Sequence, residues 1–119
     1  MRPLGNHIHA AILRAIGDSG AFDATDREKP TLTVESMQST DWASATFIGA
    51  THDFNLRITG SRHSVAAALC LLVGNLPDRN IPIAGHIVAE VAVIPGTQYT
   101  IGNDMIANSL TVNVLTIMD

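Results

Sequence analysis

The chain has 119 residues and a formal net charge of −4, from 7 Lys or Arg against 11 Asp or Glu. Its cations (Arg2, Arg14, Arg27, Lys29, Arg57, Arg62, Arg79) are scattered, which argues against a protein that reads nucleic acid through a basic patch. Charged residues make up only 15% where ordinary soluble domains carry about 25%, and a surface this poor in charge fits a protein that works inside an assembly.

The length suits a single α+β domain over residues 1–119, with one two-layer core. One cysteine leaves no intramolecular disulfide to form. The N-terminal stretch Met1-Arg2-Pro3-Leu4-Gly5-Asn6-His7 lacks the apolar core and small-residue cleavage site of a signal peptide, so synthesis and folding in a cytoplasm are expected.

Ile8, Ala11, Ile12, Ala15 and Ile16 recur at the spacing of a helix with one buried face. Asn6 is placed to cap that helix, and Gly17 and Gly20 to stop it. Asp23 to Pro30 is polar and charge-rich and reads as an exposed loop. Thr31–Gln38 alternates, with Leu32 and Val34 on one side and Thr33 and Glu35 on the other. Ser39-Thr40-Asp41 reads as a turn, Trp42–Ile48 as a second strand, Gly49-Ala50-Thr51 as a second turn and His52–Thr59 as a third strand. The third is the cleanest, with Phe54, Leu56 and Ile58 inward and Asp53, Asn55 and Arg57 outward, the mark of a half-buried antiparallel strand.

Ser61 is a good N-cap for the apolar run that follows. Val65, Leu69, Leu72 and Leu76 form one stripe of this second helix, while Ala67, Cys70 and Leu71 make the other side apolar too. A helix with no wet face is expected to be covered on more than one side, which makes Cys70 a buried small hydrophobe. The helix is too short to span a membrane. Gly85–Ile94 reads as a strand, apolar on nearly both faces; Pro95–Asp104 reads as a long connection, and Ser109–Met118 as the last strand. Pairing those two strands as a hairpin leaves a loop longer than the usual two to five residues, a candidate contact arm. The order α-β-β-β-α-β-β predicts an α+β two-layer sandwich, with helices packed on one face of a mostly antiparallel sheet. The other face would carry Ile94 and either Leu115 and Ile117 or Val112 and Val114, too much apolar surface for a simple solvated face.

Five histidines invite a search for metal or acid–base chemistry. His7 and His9 are two apart and point to different sides of a helix, so they cannot ligate as an i, i+4 pair does. His52 and Asp53 adjoin on a strand and project to opposite faces. His63 falls in a first helical turn, where a solvated or local role is expected, and His86 opens a strand as a structural hydrogen-bonder. There is no Gly-x-Ser-x-Gly elbow, phosphate loop or dinucleotide fingerprint, and the carboxylates are spread singly. An anion could sit at the helix start by Ser61 and Arg62, as at any helix start. No catalytic, metal or cofactor residue is assigned.

Certain strings, in their order, resemble a known family. They are Ala11-Ile12-Leu13-Arg14-Ala15-Ile16, the Pro-led strand Pro30-Thr31-Leu32-Thr33-Val34, the turn Thr40-Asp41-Trp42, and the His-led strand His52-Asp53-Phe54-Asn55-Leu56-Arg57-Ile58. The alanine-rich helix, Ile83-Ala84-Gly85-His86-Ile87-Val88 and a last hairpin approached through Gly102-Asn103-Asp104 complete them. Together they resemble the tail-terminator (tail-completion) proteins of long-tailed bacteriophages and gene transfer agents, over nearly the whole chain. The chain departs from that pattern in lacking an aromatic beside Pro30 and an arginine in Leu110–Leu115.

The resemblance implies a structural protein of a virion or phage-like particle, assembled in the bacterial cytoplasm, with no cofactor and no enzymatic activity. Its partners would be copies of itself in a hexameric ring, the tail tube protein and a head connector or stopper; DNA would pass through the lumen without specific binding, and no membrane is involved. Excess carboxylate repels a phosphate backbone, so Glu35, Asp53 and Glu90 on strands, and Asp104 with Asp23, Asp26 and Glu28 in loops, are candidates to line that lumen. Thr40, Asp41, Trp42 and the arm bearing Tyr99 are the expected subunit or tube contacts. The rival readings are a small α+β ligand-binding domain or enzyme of open-cone type, with His52 or His86 meeting a carboxylate in a deep pocket, and a different neck component such as a connector or stopper.

Overall fold

A computed structural model describes residues 5–23, 25, 26 and 28–119, with the backbone alone at 5 and 6. Its elements are α1 (Gly5–Gly17), β1 (Thr31–Ala43), β2 (Ile48–Ser61), α2 (Arg62–Asn75), one 3-10 turn at Leu76–Asp78, β3 (His86–Gly102) and β4 (Met105–Met118). The strands make one antiparallel sheet in the order β1-β2-β4-β3. Both helices cover the same face, which gives the α+β two-layer architecture expected from sequence. β3 has 17 residues, and at about 3.3 Å rise each it accounts for the molecule's 53 Å long dimension.

α1 buries Ile8, Ile12, Ala15 and Ile16, the expected stripe, and ends at Gly17. The Asn6 side chain, expected to cap it, lies outside the described residues. α2 starts where Ser61, extended at φ −65° and ψ 156°, accepts the Ser64 amide at 3.2 Å, a cap worth about 1 kcal/mol. Val65, Ala68, Leu72 and Leu76 of this stretch face Phe54, Leu56 and Ile58 of β2 and Leu110, Val112 and Val114 of β4. Each fully buried side chain of this size contributes roughly 1.5–3 kcal/mol, so this interface holds the two layers together.

Three strands were expected ahead of α2 and there are two. Ser39-Thr40-Asp41 and Gly49-Ala50-Thr51 are not turns; they lie inside β1 and β2, where Thr40 pairs with Thr51 and Asp41 with Ala50. The reversal comes at Ser44–Phe47 instead. There the Ser44 amide donates to the Phe47 carbonyl at 2.8 Å, and the Ser44 hydroxyl accepts the Thr46 and Phe47 amides at 3.3 and 3.0 Å. Threonine favours strands, and Gly49 is there for space: a Cβ on it would stand 2.8 Å from Cζ2 of Trp42 and against the Thr116 carbonyl.

The expected long connection Pro95–Asp104 is also strand. β3 runs through Pro95 and Gly96 to Gly102, and β4 begins at Met105 rather than Ser109, leaving a two-residue turn with Asp104 at φ 56°. Pro95 is tolerated because β3 is an edge strand. Register shifts at Val88/Glu90, Pro95/Gln98 and Thr100/Gly102 absorb the irregular residues.

Cys70 is exposed, not buried. α2 has one covered side, and Ala66, Ala67, Cys70, Leu71 and Val73 stand open on the other. On the sheet, Val112 and Val114 face the helices, so Leu115, Ile117 and Ile94 face away from them.

Candidate functional site

The sheet face turned away from the helices is built by strand alternation. Register sets Trp42, Thr40, Gln38 and Ser36 of β1 beside Gly49, Thr51, Asp53 and Asn55 of β2, then Ile117, Leu115, Asn113 and Thr111 of β4, and Ile87, Glu90, Ala92 and Ile94 of β3. The β1–β2 half is a lattice of small polar groups. Asn55 Nδ2 donates to Ser36 Oγ at 2.8 Å, Thr111 donates to Asn55 Oδ1 at 3.2 Å, and Asn113 donates to the Asp53 carboxylate. The β3 half is more apolar: Ile87 and Ile94 are 53% and 50% exposed.

Three of the acidic candidates lie on this face, two of them together. Asp53 and Glu90 line one shallow depression with Thr51, Asn113 and Leu115. Glu35 sits at the β1 register shift, 3.5 Å from Arg57, a half-exposed pair worth up to about 1 kcal/mol. Asp104 is apart from them, at the β3–β4 turn. Arg57 is the one Lys or Arg in the four strands; it lies on this face, partly exposed and paired with Glu35, amid carboxylates and neutral groups.

The expected contact residues lie on the sheet's two outer strands. Thr40, Asp41 and Trp42 belong to β1, within the strand rather than at a turn. Tyr99 belongs to β3, is 46% exposed, and sits on a strand instead of a loop arm. The structure therefore does not bring the two groups together; they occupy opposite edges.

Four of the five histidines gather where α1 crosses the sheet. His9 Nε2 is 2.7 Å from Ser39 Oγ, which is 2.7 Å from His52 Nδ1; His52 Nε2 is 3.0 Å from Thr116 Oγ1, which donates to the Ala50 carbonyl at 3.3 Å. The His9 ring stands edge-on to His52 and Phe54, with centroids 5.4 and 5.3 Å away. His7 lies beside His86, centroids 5.8 Å apart. His63 is separate, exposed in the first turn of α2. Burial holds His52 below the usual imidazole range, His9 and His86 reinforcing it against Asp41 and Asp53, and burial lowers His9 as well. This relay was invisible in sequence because Ser39 and Thr116 are generic residues far along the chain from the histidines they bond.

A cavity of about 430 Å³ opens at that end of the sheet, lined by residues that include Ile8, Asp41, Trp42, His52 and His86. Among the described residues, Trp42 Nε1 and His86 Nδ1 are buried without hydrogen-bond partners. Both His52 nitrogens are engaged by hydroxyls, which leaves that ring without a lone pair free for base chemistry. Among the described residues no cluster of three metal-ligating side chains occurs, and no helix is long and apolar enough to cross a membrane.

No family model and no curated protein matches this chain. Among solved structures it resembles a chain of the virion of a native gene transfer agent (GTA) particle, with a TM-score of 0.62 over 96% of this chain and 94% of that one at 13% identity. The likeness is one of fold: nearly the whole of both chains follows the same α+β path.

Proposed function

We propose that this chain is a structural, non-enzymatic component of a phage-like virion or gene transfer agent, and that it acts as the tail terminator. In this reading six copies close into a ring that caps the tail tube, stops its growth and meets the head connector or stopper. The observation that carries it is a fold shared end to end with a virion chain, combined with apolar surface that one copy leaves uncovered. Leu71 and Val73 on α2, Phe47 and Ile48 at the β1–β2 turn, and Ile87 and Ile94 on β3 are all exposed, and in this reading neighbouring copies cover them.

A ring needs heterologous contacts, in which one patch meets a different patch on the next copy. Thr40, Asp41 and Trp42 on one edge and Tyr99 on the other suit that requirement, since they lie on opposite sides of the same sheet. The polar face bearing Glu35, Asp53 and Glu90 suits a lumen, because its carboxylates outnumber its one cation, Arg57, which Glu35 already pairs. Asp104 joins this set at the rim, by the hairpin turn.

The test is to mix the purified protein with assembled tail tubes and image their ends by negative-stain electron microscopy. Rings on tube ends, with tube length fixed thereafter, support the reading; bare, still-growing ends refute it.

One observation favours a ligand-binding module, the cavity whose lining includes both His86 and Asp41. It lies at the end of the sheet instead of its centre, and His52 is already committed to Ser39 and Thr116. A small-molecule screen by thermal shift that raises Tm for the wild type but not for Trp42→Ala would favour the module over the ring.

A further inference from the structure

Donor bookkeeping gives the relay under α1 a single direction. Thr116 donates to the Ala50 carbonyl, so its oxygen accepts from His52 Nε2–H. That leaves His52 Nδ1 bare, to accept the Ser39 hydroxyl, and Ser39 in turn accepts from His9 Nε2–H. The chain in this direction requires a neutral His52, whose Nδ1 must accept, whereas His9 needs only its Nε2–H. Among the described residues no other hydrogen bond fastens the middle of α1: His7, toward its start, donates to the Ala84 carbonyl at 3.4 Å and lies beside the His86 ring, and Ile8, Ile12, Ala15 and Ile16 pack into the core.

A proton added to His52 goes to Nδ1, the atom that now accepts from Ser39. The Ser39 oxygen then faces two N–H donors and its own hydrogen loses its acceptor, while a positive ring is left 1% exposed with the His9 centroid 5.4 Å from it. The titratable groups acting on that ring are His9 from α1, Asp41 from β1, Asp53 from the opposite face of β2, and His86 from β3, with His7 of α1 lying against His86; β4 contributes only the Thr116 hydroxyl. Two imidazoles, His9 and His86, act on the ring against the one carboxylate on the same side, Asp41, so the neighbourhood does not compensate the charge.

We propose that the His9–Ser39–His52–Thr116 chain is an acid-operated clasp: neutral, it holds α1 on the sheet, and protonated, it lets α1 lift while the sheet and α2 stay folded. Release uncovers the Ile8 and Ile12 stripe and widens the neighbouring cavity, so acid exposes a new apolar surface beside the β1 edge. This goes beyond the ring reading and is independent of it, since the clasp lies within one copy.

The experiment is hydrogen exchange with mass spectrometry on the full chain at about pH 7.5 and about pH 5.5, corrected for intrinsic rates. α1 peptides should lose roughly tenfold or more of their protection in acid while β2 and β4 keep theirs. His52→Gln, which retains a donor and an acceptor but cannot titrate, should keep α1 protected at both pH values. If that variant does not fold, Ser39→Ala serves: α1 should then be loose already at neutral pH. Equal α1 protection at the two pH values, simultaneous loss across the whole chain, or an acid response undiminished in His52→Gln would overturn the proposal.

Discussion

Leu71 and Leu72 are neighbours on α2 with opposite surroundings: Leu72 is fully buried against the sheet, while Leu71 is 37% exposed. Leu72→Ala is therefore expected to cost about 2–5 kcal/mol of subunit stability, as lost burial and a residual cavity add. Leu71→Ala should stay within about 0.5 kcal/mol in the isolated subunit, yet weaken self-association if α2 is covered in an assembly. Urea melts of both variants, read beside light scattering at rising concentration, separate the two effects. Equal destabilisation would mean that α2 has no free side.

Trp42 and Gly49 make a second pair open to test. The indole crosses the glycine so closely that a Cβ would meet it at 2.8 Å and also strike the Thr116 backbone. Gly49→Ala is expected to cost roughly 1–3 kcal/mol through overpacking. Trp42→Ala combined with Gly49→Ala should recover only part of that, because the backbone clash remains. Thermal unfolding of the two single variants and the double variant completes the cycle.

Stability should also depend on pH, with a sign set by His52 and His9. Both are held below the usual imidazole value in the fold, so between their folded and unfolded pKa values the unfolded chain binds more protons. Their contribution is fully present above about pH 6.5 and is lost as pH falls through the lowered folded values. A urea midpoint that holds through neutral pH and drops in mild acid is expected. A midpoint that rises on acidification would contradict the burial of His52.

Charge reversal on the polar sheet face gives a functional prediction. Glu90 is exposed and makes no ion pair among the described residues, so Glu90→Lys should leave the fold within about 0.5 kcal/mol of wild type. In a ring it would add one cation per copy beside Asp53. Assembled rings carrying Glu90→Lys should then bind duplex DNA at low salt, with an affinity falling steeply in log–log salt dependence, about 0.9 per phosphate contacted. Fluorescence anisotropy of a labelled duplex would register this, and no change would count against that face lining a DNA passage.

The sequence showed most about the parts whose signals are local. Ser61 before an apolar stripe announced α2, and the alternation from Asp53 to Ile58 announced β2 with the correct faces. The reversal between β1 and β2 was misplaced because Gly49 reads as a turn residue, whereas its role is to make room for an indole that only the folded chain brings over it. Pro95, Gly96 and Gly102 read as a loop, but an edge strand with register shifts accommodates all three. The exposure of Cys70 follows from how much apolar surface the sheet can cover, a tertiary property that helix periodicity does not report. His9, Ser39, His52 and Thr116 come from four different elements, and no local spacing could have joined them.

The two outer strands are guarded unequally against stray chains. An outermost strand offers open amides and carbonyls on which another extended chain can template, the first step toward fibres. On β3 the longest uninterrupted run is Glu90–Pro95, and proline ends it without an amide to give. On β1 the pairing is unbroken from Ser36 to Ala43. Misassembly under heat or crowding should therefore begin at β1, and a lysine or proline set into that run would be the economical way to keep concentrated stocks clear.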